Sequence, residues 1–250
     1  MKAERFEDFF RNKTYLSLKN HLYNYRIRKM AVERELAGLH HGRILEIGCG
    51  ISPLTKGADS IIYLDISPAA LMNLKAAHCG SFVAADAACL PFREGIFDTV
   101  ICSEVIEHLQ DDLKAIEESA RVLRRGGSLL LTFPHQDFYY GADDRFVGHY
   151  RRYRLGVMKA MIKGAGLYPQ VVRKILGPME KIMMLTAVGM FRLWSQRSGS
   201  IGNSEKSGQG NAVVGIFKMV NVMLAAIAGI DARIAPRFLS TVLLIRAVKR

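Results

Sequence analysis

From Arg43 onward, short apolar runs alternate with stretches of helical spacing, and this alternation constrains the fold more than any other feature. The runs are Ile44–Ile47, Ile61–Ile66, Ser81–Ala85, Thr99–Cys102 and Ser128–Phe133, each closing near Gly, Asp or Pro. Candidate helices fall at Ala69–Ala77 and Asp111–Leu123, the second followed by Gly126-Gly127 as a C-terminal stop. Strands that alternate with helices pair in parallel, with helices covering both faces of one sheet. Further strands at Tyr168–Ile175 and Thr241–Val248 bring the expected number to seven. The prediction is an α/β chain with a doubly wound, mostly parallel seven-stranded sheet.

Four regions are expected. Residues 1–39 form an N-terminal helical arm, with Phe6, Phe9, Phe10, Leu18, Leu22, Tyr25 and Ile27 set among Arg and Lys in one or two helices over 6–36. Residues 40–175 form the core, 176–238 a basic and apolar helical insertion, and 239–250 the last strand. With half of its 250 residues hydrophobic, the chain can build a packed core, so global disorder is excluded. Cys49, Cys79, Cys89 and Cys102 form no C-x-x-C pair, which favours reduced thiols over a disulfide scaffold. Met1-Lys2-Ala3-Glu4-Arg5 runs into charges without an apolar signal region, so a cytoplasmic location is expected.

The residues suited to chemistry lie where the runs end. Leu45-Glu46-Ile47-Gly48-Cys49-Gly50 follows a strand, and glycines there let the backbone turn sharply and approach a ligand. It is not a full G-x-G-x-x-G, because position 53 is Pro53. Asp65 closes the next strand 17 residues after Gly48, where an acid suits the two hydroxyls of a ribose, or else caps the helix that Ser67-Pro68 opens. Asp86 closes the third run, and Cys102-Ser103-Glu104-Val105-Ile106-Glu107-His108 closes the fourth.

In this order and spacing, over about residues 40–175, the series resembles the class I S-adenosylmethionine-dependent methyltransferases, in particular the small-molecule and quinone methyltransferase group. The resemblance implies a Rossmann-like core and S-adenosylmethionine as cofactor. It sets the Gly48-Cys49-Gly50 turn under the methionine part, Glu46 near its amino group, and Asp65 on the ribose. Ile66 would pack on the adenine, Asp86 would accept from the adenine amino group with Ala87 beside it, and Cys102, Ser103 and Glu104 would floor the site near the sulfonium.

Glu104, Glu107 and His108 stand at i, i+3 and i+4, so a helical turn would gather them on one face. With His149 in Gly148-His149-Tyr150-Arg151-Arg152-Tyr153 they make a candidate divalent-metal set of two carboxylates and two imidazoles. Without a metal, His108, Glu104 and His149 are candidate catalytic groups for a hydroxyl acceptor, a poor nucleophile that needs a base. A purely structural role remains open, with the acids capping a helix N-terminus.

Charge is partitioned along the chain. Residues 146–250 hold 17 Lys and Arg against only Glu180, Glu205 and Asp231, whereas residues 1–145 are close to neutral. An anionic partner is expected for that half. It contains the apolar segments Ile182–Trp194 and Ala212–Ile230, separated by the Ser/Gly/Asn-rich linker Ser195–Asn211 and flanked by Arg192, Arg197, Lys206, Lys218, Arg233 and Arg237. Lys218, Asn221 and Ala225 share one side of a helix, which fits a helix lying in a membrane interface better than a span, a buried core helix being the other reading. The expected function is methylation, favouring oxygen, of a lipid-linked or amphiphilic acceptor at the cytoplasmic face of an anionic membrane. RNA methylation through the basic half and a non-catalytic binding module are the alternatives.

Overall fold

All seven apolar runs become strands in the computed structural model, which describes residues 19–39, 42–55, 60–76, 79–186 and 209–250. They are β1 (Ile44–Ile47), β2 (Ile61–Asp65), β3 (Ser81–Ala84), β4 (Phe97–Ser103), β5 (Leu123–Pro134), β6 (Leu167–Leu176) and β7 (Val242–Lys249). They form one sheet in the order β3-β2-β1-β4-β5-β7-β6. Pairing is parallel from β3 to β5, and β7 runs antiparallel to both β5 and β6. The order reverses between β1 and β4, which is where a doubly wound sheet opens a crevice at its carboxyl edge.

Each face of the sheet has its own apolar layer, as parallel strands covered on both sides require. On one face Leu45, Val100, Leu129 and Ile245 meet Ile116 and Ala120 of α3 (Asp112–Val122) and Met158 and Ile162 of α5 (Leu155–Gly164). On the other, Tyr63, Ile101 and Leu130 meet Val32 of α1 (Tyr23–Leu36) and Leu71 and Leu74 of α2 (Pro68–Lys75). Burying one such Leu or Ile side chain contributes about 1.5–3 kcal/mol. Ser67, not Asp65, caps α2: its Oγ accepts the Ala70 N–H at 3.3 Å, and Pro68 opens the helix.

The expected glycine stop after α3 is not used. The helix ends at Val122, because Leu123 turns extended and already pairs with Phe97 of β4. Gly126, at φ 77°, then lies inside β5, where the register shifts between Phe97 and Thr99.

Of the arm, a short 3-10 turn (Lys19–His21) and α1 are seen; Phe6, Phe9, Phe10 and Leu18 lie outside the described residues. Between β5 and α5 stands a short helix, α4 (Ala142–Val147). Of the insertion, a helix α6 is described over 178–186, followed by α7 (Gln209–Ile234), while Arg192, Arg197, Lys206 and most of the linker fall outside the described residues. Asp231 of α7 accepts the Met179 N–H at the start of α6 at 2.9 Å. α7 packs on α1 and β6, with Asn221 Oδ1 accepting the Tyr23 N–H at 3.0 Å. Asn221 is therefore not part of a water-facing polar stripe with Lys218; it is buried as the polar anchor between two helices. No described helix is long and apolar enough to cross a membrane.

Candidate active site

Backbone geometry brings the residues at the ends of β1 and β2 together. Gly48, at φ 69°, and Cys49 both donate N–H bonds to the Leu64 carbonyl, at 2.7 and 3.2 Å. Gly50, at φ 54°, donates its N–H to Asp65 Oδ2 at 2.8 Å, and Ser67 donates to Asp65 Oδ1 at 2.9 Å. Gly48 is obligatory on two counts: its φ is left-handed, and a Cβ there would stand 2.3 Å from Val105 Cγ2. The two N–H bonds orient the Asp65 carboxylate. Ile66 is half-buried beside it. Asp86, half-buried after β3, accepts the Ala88 N–H at 2.9 Å, and Ala87 is buried.

Two of the expected cofactor residues, Glu46 and Cys102, are buried among the chain's own groups. Glu46 is 3% exposed, and its carboxylate accepts from Leu54 N–H at 2.6 Å, Thr55 N–H at 3.1 Å and Thr55 Oγ1 at 2.5 Å. It closes the loop after Gly50. Burial pushes its carboxyl up, and the three loop donors pull it back. Cys102 is a core side chain, its thiol pushed up by burial, and the half-buried Ser103 and Glu104 follow it at the end of β4. The Cys49 side chain is likewise buried, leaving its backbone to shape the turn.

The expected helical face of Glu104, Glu107 and His108 does not form. Glu104 adopts φ 54°, a strained conformation for a residue with a Cβ, and only Ile106–His108 makes a 3-10 turn. Glu104 turns toward Arg28 of α1, 3.0 Å from NH1 to Oε2, and accepts from Thr132 Oγ1 at 3.2 Å. Thr132 also bonds Ser103, Oγ to Oγ1, at 2.7 Å.

Glu107, His108 and His149 do converge, with one ligand atom from each lying within 4.8 Å of the others. The two imidazoles meet edge to face, centroids 4.7 Å apart, and His149 Nε2 is 3.7 Å from Glu107 Oε1. Glu107 is fully buried, and among the described residues neither carboxylate oxygen has a hydrogen-bond partner. Burial, reinforced by the charge of Glu104, pushes its carboxyl well above the ordinary range. Behind His149 stands Asp144, whose Oδ1 receives His149 Nδ1 and Arg152 Nε, each at 2.8 Å. Burial raises the Asp144 carboxyl, but the bonds from His149 and Arg152 and the Arg152 charge overcome it and hold the group below the usual carboxylate range. His108 Nδ1 faces the Gly148 carbonyl at 3.4 Å. Since neither a carbonyl nor an ionised carboxylate can donate, Nδ1 is the donor in both contacts.

Arg28 and Asp144 were not among the expected site residues. Arg28 reaches Glu104 across 76 positions and leaves no local trace. Asp144 had one available sign: Gly148 follows α4 at φ 84° as a left-handed cap, folding His149 back onto the helix that carries Asp144.

Residues 45–131 match a family of methyltransferase domains. The chloroplastic tocopherol O-methyltransferase of Arabidopsis thaliana is 32% identical over 117 residues, covering 40% of this chain and 33% of that protein. The uncharacterized methyltransferase YcgJ of Bacillus subtilis is 27% identical over 212 residues, covering 73% of this chain and 78% of that one. The chain spans 33–56% of the length of the tocopherol enzyme and of two uncharacterized proteins of Methanocaldococcus jannaschii that it also matches. Among solved structures, an S-adenosylmethionine-dependent methyltransferase of Thermotoga maritima superposes over all of both chains with a TM-score of 0.63 at 18% identity, a likeness of fold.

Proposed function

We propose, for a chain that carries a class I S-adenosylmethionine-dependent methyltransferase domain, that it moves the cofactor's methyl group to a hydroxyl oxygen of an amphiphilic acceptor. The observation that carries the reading is the imidazole pair His108 and His149, the first of which follows the Val105 packed against Gly48, with Asp144 bonded to Nδ1 of His149. The similarity to the tocopherol O-methyltransferase named above is further support.

The residues present fit the cofactor. Asp65 and Asp86 stand at the carboxyl ends of adjacent strands, and the tight turn at Gly48 leaves a backbone surface between them and Glu104. Asp65 would hold the ribose hydroxyls, Ile66 and Ala87 would flank the adenine, and Asp86 would accept from its amino group. When bound, the cofactor supplies a methyl group on a sulfonium, an already good leaving group. The chain's own part is then alignment and exclusion of water, which supply much of the acceleration in such displacements. His108 would accept the hydroxyl proton on Nε2, leaving the acceptor oxygen able to receive the methyl group that the bound cofactor would supply. Arg28 and Thr132 hold Glu104 at the floor.

One observation favours a divalent cation at the same place: the two orphaned, fully buried oxygens of Glu107 beside two imidazoles. Glu107, His108 and His149 would hold it, without Glu104, and Asp144 would orient His149 from behind as carboxylates do for metal-bound histidines. The cation would polarise the hydroxyl and offset the burial that pushes the Glu107 carboxyl up.

Incubation with methyl-labelled S-adenosylmethionine and paired hydroxyl and amine amphiphiles tests the reading. Label on the hydroxyl member supports it; label on amines alone, or on RNA, overturns it.

A further inference from the structure

Single apolar side chains are common on protein surfaces, but a contiguous exposed stripe marks an interaction site. α7 carries such a stripe, and it is built the wrong way round for a helix facing water. Its side toward α1 and β6 presents mainly small or polar residues, Asn221, Ala225, Ala228 and Ala232, with Leu224 at their margin. The opposite side presents Met219, Met223, Ile227, Ile230 and Ile234, spaced at helical intervals and 44–78% exposed. Phe238 beyond the helix end, and Ile182 and Leu185 on α6, are exposed as well.

The cations decide what such a stripe fits. Lys218, Arg233 and Arg237 are exposed on the same segment, and the chain from residue 146 on carries 17 Lys and Arg against three acids. An apolar protein partner would satisfy the stripe and leave this charge unmatched. A bilayer with anionic headgroups satisfies both, because an interfacial helix buries its apolar side at the acyl boundary while its cations meet the headgroups.

We propose that α7 lies in the plane of an anionic lipid bilayer, with Met219, Met223, Ile227, Ile230 and Ile234 inserted and Lys218, Arg233 and Arg237 at the headgroups. The docking does not depend on the methyl acceptor. It does present the rest of the molecule in a defined way, since Asp231 ties α6 to α7 and Lys181 of α6 reaches Asp143 and Asp144 behind His149. A lipid-borne acceptor would meet the site from the docked side.

The test is co-sedimentation of the full chain with phosphatidylcholine vesicles, with and without phosphatidylglycerol, beside the doubly substituted variant I227E and I230E. Both positions are exposed, so the variant is expected to fold, which retained S-adenosylmethionine binding verifies independently of vesicles. The expected result is binding to anionic vesicles that weakens about tenfold or more as salt shortens the screening length from about 10 Å toward about 3 Å. The variant is expected to lose that binding by a similar factor. Absence of vesicle binding, equal binding by the variant, or equal binding to neutral vesicles overturns the proposal. So does a wild-type dimer that the variant converts to monomer, which would assign the stripe to a second copy of the chain.

Discussion

Lys181 of α6 and Asp144 of α4 form a buried ion pair, with Nζ 2.9 Å from Oδ2. The same ammonium contacts both oxygens of Asp143, at 2.6 and 2.8 Å, while the other oxygen of Asp144 receives His149. The insertion is thereby joined to an imidazole of the site through one carboxylate. Removing one partner of a buried pair leaves an uncompensated charge and costs about 3–5 kcal/mol. Lys181→Met is expected to lower the unfolding free energy by that amount, measured by urea titration. An unchanged midpoint would show that Arg152 alone neutralises the two acids.

Asp65 is expected to contribute about 1.5–3 kcal/mol to cofactor binding through charge-assisted hydrogen bonds. Asp65→Ala should therefore weaken S-adenosylmethionine affinity about ten- to a hundredfold by calorimetry, with circular dichroism confirming the fold. Undiminished affinity in the folded variant would remove Asp65 from the cofactor site.

His108→Ala is expected to leave cofactor affinity intact and to lower methyl transfer about 10²-fold or more. Metal analysis then separates the two roles of the imidazole pair. Dialysis against a chelator should abolish turnover, with recovery on adding a divalent cation, if Glu107, His108 and His149 hold a metal. Turnover that survives dialysis in metal-free protein leaves His108 as the base.

Glu180 on α6 tests the pH dependence of folding. It is 6% exposed, and burial, opposed by the Arg152 charge, pushes its carboxyl up from 4.5 to about 6. Between those values the folded chain binds a proton that the unfolded chain has released, so this group's contribution to stability falls as pH rises. Glu180→Gln is expected to gain about 2 kcal/mol over wild type at pH values above the folded pKa, from about 1.4 kcal/mol per pH unit, and nothing below the unfolded value. Thermal unfolding of both proteins across that range measures the difference; a gap independent of pH would contradict it.

The sheet was legible because its signals are local. An apolar run closed by Gly, Asp or Pro needs no partner to be recognised, and Ile44–Ile47 begins and ends where the composition says. The acids Asp65 and Asp86 were legible for the same reason, since a strand end is also a position in the sequence. What failed was long-range or conformational. Helical spacing put Glu104 with Glu107 and His108, but spacing cannot reveal that Glu104 takes a left-handed φ and turns to Arg28. Glu46 looked like a ligand contact until the loop folding back on it supplied three donors. On α7, periodicity separated the two sides correctly but not which side faces the sheet, because Asn221 is wanted by the backbone of Tyr23.

The insertion leaves the sheet from edge strand β6 and returns into β7, one place further in. Both ends are thus clamped by antiparallel ladders, while β1 to β4, with the residues expected to hold the cofactor, lie on the far side of β5. Between two such clamps a segment can lengthen at little entropic cost, about 0.6 kcal/mol for each doubling. The architecture lets the stretch between β6 and β7 change in length while the parallel register of β1 to β4 stays as it is.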